Sequence, residues 1–288
     1  MRSTRRMWFV AALFLPVASG GQAPTVITMD QEPHHHLALQ NDFVKVFKVE
    51  VAPGDSIAMH RHDRDTIAIA VGEQMVTVGF PDKPEIHQKN PDGQLRLQKV
   101  GYVHSTRVDV GTAYHTVAVE LLHPQGNPRN LCAPVMAGLP LNCPETPAGA
   151  SSQKNIGQPQ FQSDQTRVQL VRVLPRQSVN VGHREYFQLI VALDPATISA
   201  ASGKGHEQKL RPGDFVWFEM GGASRVFTNS GKSEARFVEF AFSPIDPKGK
   251  VIDAPGGLQT PRRLTAENGS DHARDSTGPV FGARAGEQ

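Results

Sequence analysis

The sequence predicts an all-β protein built from two tandem halves. A Val-rich, alternating segment that runs from an aspartate to a proline occupies residues 42–53 and recurs at residues 164–175, an offset of 122. Self-similarity at a fixed offset indicates a duplicated structural unit. Short β-rich segments are bounded by Gly and Pro, and no long apolar stripe with helical periodicity is present, so we expect few and short helices.

The first twenty residues predict an export signal. Arg2, Arg5 and Arg6 precede an apolar run at residues 7–18, and small residues follow at the expected cleavage site. The alternative is a membrane anchor, but the run of about twelve residues is shorter than the roughly twenty that a spanning helix needs. We therefore expect residues 1–20 to be removed, leaving a periplasmic or secreted protein without a stable membrane span.

Charge and composition exclude some classes of partner. The formal net charge of the 288 residues is +2, and removal of the basic signal leaves a mature chain near −1, roughly neutral. This charge gives no indication of nucleic-acid binding. Hydrophobic residues make up 39% of the chain, which is enough to bury a core in each of two domains.

Three histidines form the strongest candidate for a functional site. His60 and His62 lie in a β-rich segment at residues 54–72 that begins and ends with glycine. Residues two apart on a strand project to the same face, so the two imidazoles point toward one place. His104 lies in a second such segment, residues 101–111, and can supply a third imidazole. The pattern predicts a metal site, and the alternative is a set of histidines that fills a polar barrel mouth without metal.

These two segments resemble the two sequence motifs of the cupin family. The resemblance implies two tandem jelly-roll (double-stranded β-helix) barrels, with His60, His62 and His104 as metal ligands. The family's first motif usually adds a glutamate four or five residues after its second histidine, whereas Asp65 follows His62 by three and has a shorter side chain. Asp65 is therefore either a fourth ligand or an acceptor for a ligand imidazole. The proline that usually precedes the histidine of the second motif is missing.

The second half carries different residues at the ligand positions. The offset of 122 places Gly182, Arg184 and Phe187 at the first three positions, and the second motif, which repeats at an offset of 120, places Ser224 at the fourth. An arginine is a permanent cation and a serine hydroxyl is a weak ligand, so we expect the second barrel to have lost its metal. A shift of one residue would instead bring His183 and Glu185 to one face, which would make only a weak site.

The predicted domain organisation follows from these repeats. The segments are a signal peptide at 1–20, a metal-binding cupin barrel at 37–123, a Pro-rich linker at 124–159, a degenerate cupin barrel at 160–245 and a polar, disordered tail at 246–288.

The two cysteines, Cys132 and Cys143, both lie in the linker. An exported protein can form disulfides, and the short Pro- and Gly-rich stretch between the cysteines closes easily, so we predict that they pair. The alternative is two buried free thiols.

The remaining histidines carry no assigned role. His34, His35 and His36 form a tract that is either an accessory metal site or simply solvated. The others lie in loop-like segments or lack a paired partner: His87, His115, His123, His206 and His272.

A site of three imidazoles suits a divalent transition ion, and Fe, Mn, Zn, Ni and Cu all remain open. Arg61, Arg64, Tyr102 and Arg107 lie near the motifs and could bind an anion, but strand alternation directs Arg61 and Arg107 away from the histidines.

No convincing general base is evident near the predicted site. Two functions therefore stay open: a metal-dependent enzyme of the oxygenase or isomerase type acting on a small molecule, and a non-catalytic metal-, ligand- or partner-binding protein. The oligomeric state is a monomer or a homodimer.

Overall fold

The computed structural model describes residues 25–144, 155–182, 185–202 and 207–244. The predicted all-β, tandem jelly-roll fold is confirmed: the described residues form twenty strands and one short 3-10 helix, Met29–Gln31. No helix among them is long and apolar enough to cross a membrane. The predicted signal peptide and tail, the end of the linker, His206 and His272 lie outside the described residues, as do His183 and Arg184.

The first barrel consists of two facing five-stranded sheets in the orders β1-β4-β9-β6-β7 and β2-β3-β10-β5-β8. Its strands are β1 Ile27–Thr28, β2 His35–Gln40, β3 Val44–Val51, β4 Ser56–Arg61, β5 Thr66–Ala70, β6 Gln74–Gly79, β7 Ile86–Asn90, β8 Leu95–Gln98, β9 Val103–Val108 and β10 Tyr114–Leu121. The barrel thus begins at β1, before the predicted boundary at residue 37, because β1 pairs with β4.

The second barrel repeats this arrangement. Its sheets have the orders β11-β12-β13-β20-β15-β18 and β14-β19-β16-β17. The strands are β11 Arg129–Asn130, β12 Ile156–Gln162, β13 Thr166–Val173, β14 Ser178–Val181, β15 Phe187–Ala192, β16 Ala196–Ala200, β17 Gln208–Leu210, β18 Phe215–Phe218, β19 Arg225–Thr228 and β20 Ala235–Phe242. Strand β11 and the first four residues of β12 fall in the predicted linker, and the two strands form one edge of this barrel.

The alternation of side chains along each strand explains where the cores lie. On β3, Val44 and Val46 belong to a hydrophobic cluster shared by both barrels, whereas Phe47, Val49 and Val51 belong to a second cluster inside the first barrel. Successive residues of a strand face opposite sides, so a strand apolar on both sides contributes to two cores. The barrels therefore pack against each other through the outer faces of the sheet β2-β3-β10-β5-β8 and of the six-stranded sheet of the second barrel.

The shared interbarrel core is extensive and is bordered by ion pairs. It includes residues of both halves, among them Ile69, Val119 and Phe240, which are fully buried. At its border, Arg236 of the second barrel binds Asp92 of the first at 2.6 Å. Burial of this shared apolar surface stabilises the association of the two barrels.

A disulfide closes the loop between the barrels. Cys132 and Cys143 are bonded to each other, as predicted. Within the loop, Val135 is buried in the interbarrel core, and its carbonyl accepts a hydrogen bond from the backbone N–H of Leu97 at 2.7 Å. The side chain of Asn130 bonds to the backbone of Met136. The bridge thus closes a loop whose middle packs against β8.

Replacing both cysteines by serine should lower the free energy of unfolding by about 2–3 kcal/mol, because the unfolded chain regains the entropy of an open loop of this length. Urea denaturation of the Cys132→Ser/Cys143→Ser variant beside the oxidised parent measures the difference. The parent with its disulfide reduced is the matched control and should resemble the variant. Equal stability of all three proteins would contradict the prediction.

Candidate metal centre

The three predicted histidines meet inside the first barrel. His60 ends up opposite His104 because β4 and β9 pair there in antiparallel register. Between Ile57 and His60 the pairing contains a β-bulge, in which β4 advances by three residues while β9 advances by two. Bulges redirect side chains and are frequent beside functional sites. The bulge brings His60 and His104 into the same row of the sheet.

His62 is held just beyond the end of β4. Its backbone N–H donates to the carbonyl of Tyr102 at 2.9 Å, and its carbonyl accepts from the N–H of Gly101 at 2.8 Å. Gly101 has φ +84°, a left-handed conformation that favours glycine. This turn therefore fixes the second imidazole relative to the third.

The donor atoms of the three imidazoles are close enough to share one ion. One ring nitrogen from each of His60, His62 and His104 lies within 4.8 Å of the others. The Nε2 atoms of His62 and His104 are 3.1 Å apart. Two ligands about 2.1 Å from one ion and at right angles are about 3.0 Å apart, so this spacing suits a shared metal.

The hydrogen bonds of the site also fit metal ligation. His60 Nδ1 lies 2.9 Å from the carbonyl oxygen of Ala58, which fixes Nδ1 as the protonated nitrogen and leaves the lone pair on Nε2. His60 Nε2 is buried without a hydrogen-bond partner. Buried polar atoms are rarely left unpaired, so the residues present fit a metal held by the three histidines.

Burial keeps all three imidazoles in the neutral form that binds metal. It lowers the pKa of His60 from 6.5 to about 4 and that of His62 to about 3, with the neighbouring histidines acting in the same direction on His62. The pKa of His104 is also held well below its usual value by burial. Metal binding at neutral pH therefore requires no loss of a proton from these side chains.

These pKa shifts predict acid destabilisation of the metal-free protein. The unfolded chain binds protons near pH 6.5, whereas the folded site resists protonation until about pH 4, so stability falls as the pH drops through that window. Between pH 7.5 and 5, we expect a chelator-treated sample to lose at least about 2 kcal/mol of unfolding free energy. Urea titrations at the two pH values measure this loss. A loss of the same size in His60→Ala/His62→Ala would contradict its assignment to these histidines.

Asp65 lies outside the group of candidate ligands. Its carboxylate accepts hydrogen bonds from Lys99 Nζ at 2.6 Å and from the backbone N–H of Val100 at 2.9 Å. No hydrogen bond joins it to the three histidines within the described part of the chain. Asp65 instead stabilises the turn that leads to Tyr102 and then to His104.

A buried carboxylate that the sequence did not reveal lies behind the site. Glu32 is 2% exposed and accepts hydrogen bonds from His34, from His35 Nδ1 at 2.7 Å and from the backbone N–H of Ala58 at 3.2 Å. Burial alone would raise the pKa of Glu32, but these hydrogen bonds hold it at about 2. The ring of His35 packs 4.9 Å from that of His60. Part of the N-terminal histidine tract thus supports the site and is not simply solvated.

A polar cavity opens beside His104. Its volume is about 480 Å³, including its opening to solvent, and its lining includes Gln94, Arg96, Gln98, Tyr102 and Tyr114. The amide of Gln98 lies 3.5 Å from His104 Nε2. Burial raises the pKa of Tyr102 and of Tyr114, so both phenols are neutral. The sequence indicated Tyr102 but missed the others. The only signal for Gln94, Arg96 and Gln98 is the alternation of Leu and polar residues at positions 94–98.

The other cations near the motifs do not line this cavity. Arg61 and Arg107 are exposed and lie near acidic neighbours, Asp63 at 2.8 Å and Glu85 at 3.8 Å. Their outward direction agrees with the prediction from strand alternation.

The interior of the second barrel is filled by apolar side chains. Phe227 and Phe237 are fully buried there, with ring centroids 4.4 Å apart. Its buried carboxylate, Glu239, is bound by the amides of Gln169 and Gln188. Within the described part of this barrel, no group of histidine, cysteine and carboxylate side chains could hold a metal.

Solved structures with a weak similarity to this chain include a cupin, a decarboxylase and a dioxygenase. A cupin 2 conserved barrel domain protein from Leptotrichia buccalis has 7% identity and a TM-score of 0.46, covering 72% of this chain and 87% of its own. An oxalate decarboxylase from Lactobacillus farciminis has 12% identity and a TM-score of 0.44, covering 80% and 89%. A salicylate 1,2-dioxygenase from Pseudoaminobacter salicylatoxidans has 10% identity and a TM-score of 0.46, covering 69% and 68%.

No protein-family model matches the sequence, and no curated protein matches it. The structural similarities are weak, with TM-scores below 0.5. The fold is established by the strand orders of the two barrels and by the packing of the sheet β2-β3-β10-β5-β8 against the six-stranded sheet of the second barrel. The chain is a tandem of two jelly-roll barrels, with its histidine triad in the first barrel.

Proposed function

We propose that the first barrel binds one divalent transition-metal ion through His60, His62 and His104 and presents it to a small molecule in the adjacent cavity. The observation that carries this proposal is the convergence of three buried imidazoles whose donor atoms lie within 4.8 Å of one another. Fe, Mn, Zn, Ni and Cu all suit such a donor set. Asp65 supports the site through the turn it binds and is not required as a ligand.

Catalysis is favoured by the coordination and by the cavity. Three protein ligands leave positions on the ion that a substrate can occupy, and a bound ion can polarise a carbonyl, acidify water or activate dioxygen. The chain supplies neutral phenols at Tyr102 and Tyr114 and an amide at Gln98, which can orient a ligand beside His104. We therefore favour a metal-dependent enzyme of the oxygenase or isomerase type over a non-catalytic protein.

A test of whether an external ligand binds the metal distinguishes the metal-dependent enzyme from the non-catalytic protein. The protein is loaded with Co²⁺, whose visible absorption depends on its coordination, and titrated with azide. An open site should give a saturable change of the spectrum, and His115→Ala, which removes an exposed histidine of the same barrel, should behave identically. A spectrum that azide leaves unchanged would indicate a saturated ion and favour the non-catalytic alternative.

We also propose that the protein is exported. The paired cysteines support this, because disulfides persist mainly in oxidising compartments. Mass spectrometry of the protein recovered from a periplasmic fraction should find a chain that lacks residues 1–20. Recovery of the full-length chain from the cytoplasm alone would contradict the proposal.

A further inference from the structure

The metal-site cavity contains a cation with no counter-ion. Arg96 lies on β8 opposite Ala68 of β5, and Ala68 in turn pairs with Ala118 of β10. Ala68 lines the cavity, and its small side chain leaves space above the sheet for the guanidinium. Within the described part of the chain, Arg96 makes no ion pair and no hydrogen bond, although the phenols of Tyr102 and Tyr114 lie near it.

An unpaired guanidinium in a cavity is costly. Burial lowers the pKa of Arg96, which shows that its surroundings disfavour the charged form. Arginine stays protonated in proteins, so the charge persists and an anion that enters the cavity is stabilised by it. The planar guanidinium offers two parallel N–H groups, the geometry that a carboxylate accepts.

The polar residues on the inner face of β8 form a row that leads from this cation to the histidines. Gln94, Arg96 and Gln98 are two residues apart in turn, so their Cα atoms are about 7 Å apart at each step. Gln98 contacts His104 at one end. At the other end, Gln94 has a buried amide oxygen without a hydrogen-bond partner. Arg96 can therefore bind an anion two residues along the chain from Gln98, which contacts His104. Gln94 offers a free hydrogen-bond acceptor on the other side of Arg96.

We propose that the cavity binds a small organic carboxylate, with Arg96 pairing to the carboxylate and Gln94 Oε1 accepting a hydrogen bond from a hydroxyl of the same ligand. The inference rests on the proposed function, since it names the class of molecule that the metal-binding cavity accepts. A hydroxylated dicarboxylate of four carbons can reach from Arg96 toward His104.

Isothermal titration calorimetry with malate, succinate and the neutral succinamide tests this inference on Zn²⁺-loaded and on metal-free protein. Arg96→Met should weaken malate and succinate binding by about 10–100-fold, the effect of losing a charge-assisted hydrogen bond. Arg96→Lys should retain part of the affinity, since it keeps the charge. Arg107→Met is the matched control, because it removes an exposed arginine, and it should bind like the parent.

The outcomes separate the parts of the proposal. Equal binding of malate to the parent and Arg96→Met, with both folded and both containing metal, would overturn the carboxylate site. Equal binding of malate and succinate to the parent would overturn the role of Gln94. Failure of the parent to retain Zn²⁺ would overturn the proposed function, while loss of malate binding in metal-free Arg96→Met would still support the anion site.

Discussion

His104→Ala should reduce the affinity of the protein for Zn²⁺ by at least about a hundredfold, because it removes one of three ligands from the only candidate site among the described residues. His104 is the member whose Nε2 lies 3.1 Å from that of His62, so its loss leaves a pair of imidazoles without a third donor. Competition with a chromophoric chelator measures the change.

The control for this experiment is His115→Ala. His115 lies on β10, in the other sheet of the same barrel, and its side chain is about half exposed. This variant should bind Zn²⁺ like the parent. A variant His104→Ala that is folded by circular dichroism and retains the parent's affinity would remove His104 from the site.

Phe240→Ala should destabilise both barrels together, by about 3–5 kcal/mol, the usual cost of removing a buried phenylalanine. Phe240 is fully buried in the core that the barrels share, in contrast to Phe227, which is equally buried but lies inside the second barrel. Hydrogen exchange followed by mass spectrometry should therefore accelerate in β3 and β10 of the first barrel when Phe240 is truncated.

Phe227→Ala is the matched control for the interbarrel core. It should destabilise the second barrel by a similar amount while leaving exchange in β3 and β10 close to that of the parent. If exchange in β3 and β10 matched that of the parent in both variants, the barrels would unfold independently and the shared cluster would not couple them.

The positions of the three histidines could be predicted because they depend on local rules. The alternation of side chains on a strand brings His60 and His62 to one side, and the second motif supplies His104 on a neighbouring strand. The duplication repeats the metal-ligand positions in the second half of the chain, and the sequence shows that the residues there do not match the ligands of the first half. Strand periodicity and composition were sufficient to predict the all-β fold.

The contacts of Asp65 and Glu32 could not be predicted in the same way. Asp65 binds Lys99 and Val100, which are remote in sequence, and only the conformation of the turn at residues 99–102 brings them together. Glu32 reaches the site because β1 adds to the edge of β4 and carries the following 3-10 helix with it. Both contacts depend on tertiary geometry.

The orientation of Arg96 could be predicted only in part, because the sequence shows the alternation around it but not which side of the strand faces the barrel interior. The segment 94–98 alternates polar and apolar residues, yet alternation alone does not say which set faces the barrel interior. The packing of Leu95 and Leu97 in the interbarrel core settles this, and it turns Arg96 toward the cavity. The apolar residues thus face another barrel and the polar ones face the site.

Metal content is the most direct test of the central claim. The protein and its His60→Ala/His62→Ala variant are expressed together with His115→Ala, purified without chelators and analysed by inductively coupled plasma mass spectrometry. The parent and His115→Ala should each contain about one transition-metal ion per chain, and the double variant close to none. Equal metal content in the parent and the double variant would contradict the assignment of the site to these histidines.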